Sequence, residues 1–331
     1  MLDYKFVGLI MLDVPSKHKL PIIHVAIGFD EGYLTPAYVL LTSIFQNNPT
    51  NEIQIHTLAP EVRPAAQARL RDFVQQQGGA LHFYELSKDV TQGFPVPDKS
   101  EAWLTLAAYY RLFFSRLLPA AIDKLLYIDI DTLVVGNLLD IYQTDMGNEA
   151  IGAVTEAEMP LRPDLGLSRH DEYFNSGVLL INLSAWKTQR ITERALEVIK
   201  MYPERMEYCD QDALNMVCKG QWYRMNIRFN LMKAYIPHDL MRQAHQQFLA
   251  DKVIIHFNGR IKPWYRICEN KLRYLYVYYL RQSPQAHTKP YRKRTTTREE
   301  FTQLLRSRAL EVYFNYPKIG QAWRRLKGGL T

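Results

Sequence analysis

The chain has 331 residues, 47% hydrophobic and 23% charged, which excludes wholesale disorder and leaves room for one large domain or two smaller ones. A formal net charge of +7 favours polyanionic partners such as nucleic acid, an anionic membrane or a phosphorylated substrate. Three widely spaced cysteines, Cys209, Cys218 and Cys268, exclude a disulfide framework or zinc knuckle and suit a reducing cytosol, and no apolar run reaches the ~20 residues that span a bilayer.

Residues 1–20 read as an N-terminal extension of mixed character; the short apolar patch at 6–12 lacks the cleavage signal of a secretory leader. Residues 22–27 are β-rich and apolar and read as a buried strand ending in Gly28-Phe29-Asp30-Glu31-Gly32-Tyr33. That turn is not G-x-G-x-x-G, so a dinucleotide cradle is not supported. An acid at a first strand's end suits a ribose hydroxyl or a base edge, which makes Asp30 a nucleoside candidate; a plain helix-capping acid ahead of Pro36 is the competing explanation. A helix over 38–45, a strand over 53–58, a helix over 64–77 closed by Gly78-Gly79 and a strand over 81–84 follow. This β-α-β-α-β alternation implies an α/β fold with a parallel sheet covered by helices.

A further helix over 104–118 carries Arg111 and Arg116 and leads into the apolar run 125–135, read as one buried strand interrupted by Asp129-Ile130-Asp131. Side chains two apart on a strand point the same way, so both carboxylates could meet one hard cation at the ligand end of the sheet. The spacing alone is weak, since Asp210-Gln211-Asp212 repeats it. Beyond a short strand at 151–154, residues 156–173 are polar and aperiodic and read as a functional loop or lid. The strand at 174–183 is entered through Asn175-Ser176-Gly177, whose small residues permit close backbone approach to a ligand or simply a turn. Helical regions are expected from Ser184 to about Met201 and over 213–218, the second opened by Asp210. Residues 253–264 deliver His256 at a strand end, then a Gly259 turn, Lys262 and a rigid Pro263-Trp264. Imidazole can complete a carboxylate metal site, and lysine is a natural phosphate counter-charge.

From Tyr274 on, a tyrosine cluster, a basic linker and an amphipathic helix at about 297–312 suit either an anionic membrane surface or a helical pair packed on the core; nucleic acid lacks a supporting motif. The organisation expected is an extension (1–20), a catalytic domain (21–270) and a basic aromatic helical region (271–331).

Taken in order, the acidic turn after the first strand, the helix with an arginine, the D-x-D strand end, F-N-S-G-V, D-Q-D and H-F-x-G-x-x-K-P-W resemble family 8 retaining glycosyltransferases. That group includes glycogenin and the bacterial lipopolysaccharide galactosyl- and glucosyltransferases. The resemblance covers residues 22–264. It implies a Rossmann-like mixed sheet of the GT-A type and an enzyme that moves glucose or galactose from a UDP-sugar to a bacterial surface glycan, with lipopolysaccharide core as acceptor. A glycoprotein or other oligosaccharide acceptor is the alternative, and a UDP-sugar-binding module without transfer the non-enzyme alternative. By resemblance, Asp129, Asp131 and His256 hold Mn²⁺ or Mg²⁺. Phe29, Asp30, Tyr33, Ile130, Gly259 and Lys262 contact the nucleotide, and Arg111, Asn175, Ser176, Asp210 and Gln211 surround the donor sugar, with Gln211 and Asp210 the catalytic pair. A cytoplasmic protein, peripheral at the inner face of the cytoplasmic membrane, is expected from the cysteine usage and the basic aromatic tail. Ser176 stands where some galactosyltransferases have alanine, which leaves the sugar open.

Overall fold

The structure is a computed structural model that describes residues 21–96, 105–268 and 270–291, with scattered positions between 301 and 309. The expected N-terminal extension, the basic linker after Tyr291 and most of the helix at 297–312 lie outside the described residues.

The strand β1 (Ile23–Gly28) is apolar on both faces and is buried on both. It pairs in parallel with β2 (Ile53–Leu58) on one side and β4 (Lys124–Ile128) on the other, and β2 pairs in parallel with β3 (Ala80–Tyr84). The sheet continues through β7 (Phe174–Asn182), antiparallel to β4 and to β6 (Ile151–Thr155), and ends at β8 (Tyr223–Arg224), giving the order β3-β2-β1-β4-β7-β6-β8. The fold is thus α/β with a mixed sheet. Successive strands run outward from β1 through β2 and β3, then the chain returns to place β4 on β1's free edge. The resulting crevice lies at the C-terminal ends of β1 and β4, where such sheets bind ligands.

The helices α1 (Leu34–Asn47) and α2 (Pro64–Gln76) cover one face of the sheet. The opposite face is covered by α5 (Leu183–Thr188), α6 (Ile191–Met201) and α7 (Asp210–Val217). The helical region expected from Ser184 is broken at Arg190, whose φ of 54° ends one helix before the next begins, and its cap is Asn182, accepting from Ala185 N–H at 3.1 Å. The helix expected over 104–118 is instead a 3-10 segment, Leu106–Phe113, followed by a single α turn, α3 (Phe114–Leu117). A three-residue repeat lines Ala108 up with Arg111, whose Nε donates to the Ala108 carbonyl at 3.0 Å.

The apolar run 125–135 is not one strand. It leaves the main sheet at Asp129, turns, and re-enters a separate two-stranded sheet as β5 (Thr132–Val134), antiparallel to β9 (Ile254–His256). The turn is closed by Thr132 Oγ1 donating to the Asp129 carbonyl at 2.8 Å. Periodicity sees uninterrupted β-formers on both sides and cannot register the change of sheet.

α1 is apolar nearly all round because it is sandwiched between the main sheet on one side and the small sheet with α9 (Arg273–Gln282) on the other. Two of its polar residues, Ser43 and Asn47, have a specific task. Ser43 Oγ accepts the Val134 N–H at 3.0 Å, and Asn47 Nδ2 donates to the Val134 carbonyl at 3.0 Å and to Tyr279 Oη at 2.8 Å, so the open edge of β5 is satisfied by helix side chains. The tyrosine cluster after 273 is turned inward, with Tyr276 and Tyr279 buried against the small sheet, and Tyr278 exposed. For this stretch, packing on the core is what the structure supports. Among the described residues no helix is long and apolar enough to cross a membrane. Ser43→Ala leaves the buried Val134 N–H without its acceptor and is expected to cost about 1–3 kcal/mol, read as a lower urea midpoint at unchanged slope.

Candidate active site

The crevice between β1 and β4 is a cavity of ≈ 330 Å³. The end of strand β1 and the residue after it contribute Gly28 and Phe29, the turn after β4 contributes Asp129, Ile130 and Asp131, the small sheet contributes His256, and the following turn contributes Gly259 and Lys262. Arg111, Asn175, Ser176, Asp210, Gln211 and Tyr33 complete the walls. Every site residue expected from the sequence therefore lines one cavity except Asp30, which is set back from it beside Thr105. Burial raises the Asp30 carboxyl, a hydrogen bond from Thr105 opposes the rise, and its side chain makes no capping hydrogen bond to the turn that follows.

Asp129, Asp131 and His256 bring one ligand atom each within 4.8 Å of one another. They converge because the chain turns between two sheets, not because of the strand alternation expected. The Asp129 N–H is fixed by the Gly177 carbonyl at 2.7 Å and the Phe257 N–H by the Asp131 carbonyl at 2.9 Å, so β7 and the end of β9 hold the turn from both sides. Gly177 leaves room for this packing: a Cβ there would collide with His256 Cε1 and lie 2.7 Å from Asp129 Oδ2.

A directed chain of hydrogen bonds orients the imidazole. Asn175 Nδ2 donates to Glu156 Oε2 at 2.8 Å, Asn230 Nδ2 donates to Asn175 Oδ1 at 2.9 Å, and Asn230 Oδ1 is thereby aimed at His256 Nδ1 at 3.0 Å. An amide oxygen only accepts, so the proton sits on Nδ1 and the Nε2 lone pair faces Asp131 Oδ1 at 3.2 Å. Two acceptors this close need a proton or a cation between them. Two carboxylate oxygens and an imidazole nitrogen suit a divalent ion such as Mn²⁺ or Mg²⁺.

Charge compensation pervades the crevice. Lys262, itself buried, forms an ion pair with Asp131 and donates to the Phe257 carbonyl at 3.2 Å. Burial would push the Asp131 carboxyl up, but the Lys262 ammonium holds it well below the usual carboxylate range. Arg111 is 4% exposed; its Nη2 lies 3.0 Å from Asp129 Oδ1 and its Nε 2.9 Å from Asp210 Oδ2, and the guanidinium stacks 4.5 Å above the Tyr127 ring. Arg111 also donates to the Ser176 carbonyl, and Tyr127 Oη donates to Asp129 Oδ1 at 2.9 Å. Burial outweighs Arg111 at Asp210, whose carboxyl is pushed up to about 7. The Arg111 Nε–H is directed to Ala108, so Asp210 Oδ2, 2.9 Å from that nitrogen, is buried with no hydrogen-bond donor among the described residues.

At the β1 end of the cavity, Trp264 packs edge-on against Tyr33, ring centroids 5.6 Å apart, so the Pro263-Trp264 pair that follows Lys262 also braces the turn after β1. Glu156, Tyr127, Asn230, Tyr173 and Arg162 escaped the sequence reading. Tyr127 lay two residues before Asp129 on the same strand, which was a usable signal; the others sit in aperiodic segments where nothing distinguishes them from solvated polar residues.

The mixed sheet thus carries carboxylates at its switch point, an imidazole and a lysine facing them, and a carboxylate–amide pair from α7 in the same cavity. The description "Glycosyl transferase family 8" matches residues 24–268, and the chain belongs to that family. It is 26% identical over 273 residues to General stress protein A of Bacillus subtilis, covering 79% of this chain and 94% of that one. It is 28% identical over 254 residues to a lipopolysaccharide 1,2-glucosyltransferase of Escherichia coli, covering 74% and 73% respectively. The crystal structure of the galactosyltransferase LgtC with donor and acceptor sugar analogs superposes with a TM-score of 0.69 at 26% identity, covering 85% of this chain and all of that one.

Replacing Asn230 by alanine removes the partner that fixes the His256 tautomer. Mn²⁺ affinity, read by titration in the presence of UDP, is expected to fall about 10–100-fold with the fold retained.

Proposed function

We propose that this glycosyltransferase is a metal-dependent, retaining hexosyltransferase that moves glucose or galactose from its UDP conjugate to a glycan acceptor, lipopolysaccharide core being the acceptor class. The observation that carries the reading is the convergence of Asp129, Asp131 and His256 beside Lys262, a cluster built to receive a diphosphate. The lipopolysaccharide glucosyltransferase among the relatives and the donor and acceptor analogs bound by LgtC support the substrate class.

A divalent ion held by Asp129, Asp131 and His256 would neutralise the diphosphate and make UDP a better leaving group. Lys262 supplies the second positive charge, exchanging its contact with Asp131 for a phosphate oxygen. Gly259, at φ 89°, turns the backbone so that Lys262 reaches back into the crevice. Phe29 and Tyr33 offer apolar faces to uracil and ribose, with Ile130 between the carboxylates and Asp30 set back behind them. Arg111 bridges Asp129 and Asp210, and Asp210, which lines the cavity, is assigned to a donor-sugar hydroxyl. Asn175 and Ser176 line the same wall. Gln211, an amide and a poor nucleophile, stabilises positive charge on the anomeric carbon through its carbonyl dipole. The bond from that carbon to the phosphate oxygen breaks, the acceptor oxygen bonds to the same face, and its proton passes to the departing phosphate. Configuration is retained.

The test is UDP release from UDP-glucose and UDP-galactose with and without Mn²⁺, comparing wild type with Asp129→Ala. Release from one sugar, lost on chelation and in the variant, is the expected result, with an α-linked product by NMR when an acceptor is supplied. Release that is undiminished in EDTA would overturn the metal-dependent reading.

A further inference from the structure

Helix α7 carries Asp210 and Gln211, and the turn that starts it is strained. Cys209 has φ 54° and ψ −124°, a conformation that costs a side-chain-bearing residue of order 1–3 kcal/mol and persists only when its surroundings hold it. The next carboxylate along, Asp212, is wholly buried and is not among the lining residues of the cavity, so it has no evident role toward substrate. Its bonds explain its burial. Asp212 Oδ2 accepts the Tyr208 N–H at 2.7 Å, which closes the turn over Cys209. Asp212 Oδ1 accepts from Tyr173 Oη at 2.6 Å and from Arg162 Nη1 at 3.0 Å.

The same contacts set the direction of the Gln211 amide. A carboxylate accepts only, so the Tyr173 hydroxyl proton is committed to Asp212 and its oxygen is left to accept from Gln211 Nε2 at 3.2 Å. At the other end the Ser176 N–H donates to Gln211 Oε1 at 2.9 Å. Flipping the amide would set N–H against N–H at Ser176 and oxygen against oxygen at Tyr173. Arg162 and Tyr173 both belong to the segment that links β6 to β7, and Arg162 also donates to the Arg205 carbonyl at 3.1 Å, so this segment is fastened to the helix start on both sides.

We infer that Asp212 is a positioning residue: its carboxylate holds the strained turn at Cys209 and, through Tyr173, fixes which end of the Gln211 amide faces the donor sugar. The inference rests on the reading that Gln211 faces that sugar. Strain and clamp are coupled, because glycine at 209 would occupy the same backbone conformation without penalty and make the clamp less necessary.

The experiment compares wild type with Gln211→Ala, Tyr173→Phe, Asp212→Asn, Cys209→Gly and the Cys209→Gly/Asp212→Asn double variant. It measures UDP release from UDP-glucose or UDP-galactose, whichever the wild type turns over faster, and amide hydrogen exchange over residues 206–213, which needs no turnover. Asp212→Asn should lower kcat about 100-fold, since a misplacement of about 1 Å at a reacting centre has that effect, with the donor KM changed less than about twofold. It should also speed exchange at Tyr208. Cys209→Gly alone should stay near wild type, and in the double variant it should restore roughly tenfold of the lost kcat. Tyr173→Phe, which leaves the Asp212–Tyr208 bond in place, should lower kcat with Tyr208 exchange unchanged. If Asp212→Asn does not fold, a wild-type kcat in Tyr173→Phe refutes the inference. A double variant no faster than Asp212→Asn, or unchanged exchange in Asp212→Asn, also refutes it. Should Gln211→Ala retain full kcat, the assignment of Gln211 to the sugar is what fails.

Discussion

Three carboxylates, Asp129, Asp131 and Asp210, are withdrawn from water into one crevice, and the arrangement of the chain follows from compensating them. Like charges a few ångströms apart in a protein interior repel by several kcal/mol, so such a group survives only where each oxygen meets a cation or a donor. Arg111 spans Asp129 and Asp210, Lys262 meets Asp131 opposite His256, and Tyr127 adds a hydroxyl to Asp129. These partners come from a 3-10 segment, a strand of the main sheet, the small sheet and the turn beyond it. No local stretch could bring them together, which is why the small sheet must be braced against α1 by Ser43 and Asn47.

The compensation is incomplete in an informative way. His256 Nε2 confronts a carboxylate oxygen, so the crevice is short of one positive charge. The divalent ion of the proposed reading would supply it. The surrounding amides, Asn175, Asn230 and Gln211, are each held by directional bonds that forbid a flip, so the site meets its ligand with dipoles already set.

Much of this was legible in the sequence where local pattern and chemistry coincide. The alternation of β1 to β3 with α1 and α2 gave the wound sheet, and Asp129, Asp131, His256 and Lys262 stood out because charged or titratable residues end apolar strands. What could not be read depends on the chain's path between elements. The run 125–135 has the composition of one strand, and only the loss of pairing partners beyond Ile128 sends its second half to another sheet. Arg162, Tyr173 and Asn230 lie in aperiodic segments, and their value comes from partners dozens of residues away. Cys209 gives no sign of its left-handed backbone, since glycine would have been the ordinary residue for that conformation.

The central claim, that Asp129, Asp131 and His256 form a cation site which completes the binding of a nucleoside diphosphate, is tested most directly by calorimetric titration of UDP into the wild-type protein with Mn²⁺ and then with EDTA. The account requires binding that is strong with the metal and at least about tenfold weaker without it, a difference of about 1.4 kcal/mol. Equal affinity in the two titrations would contradict it.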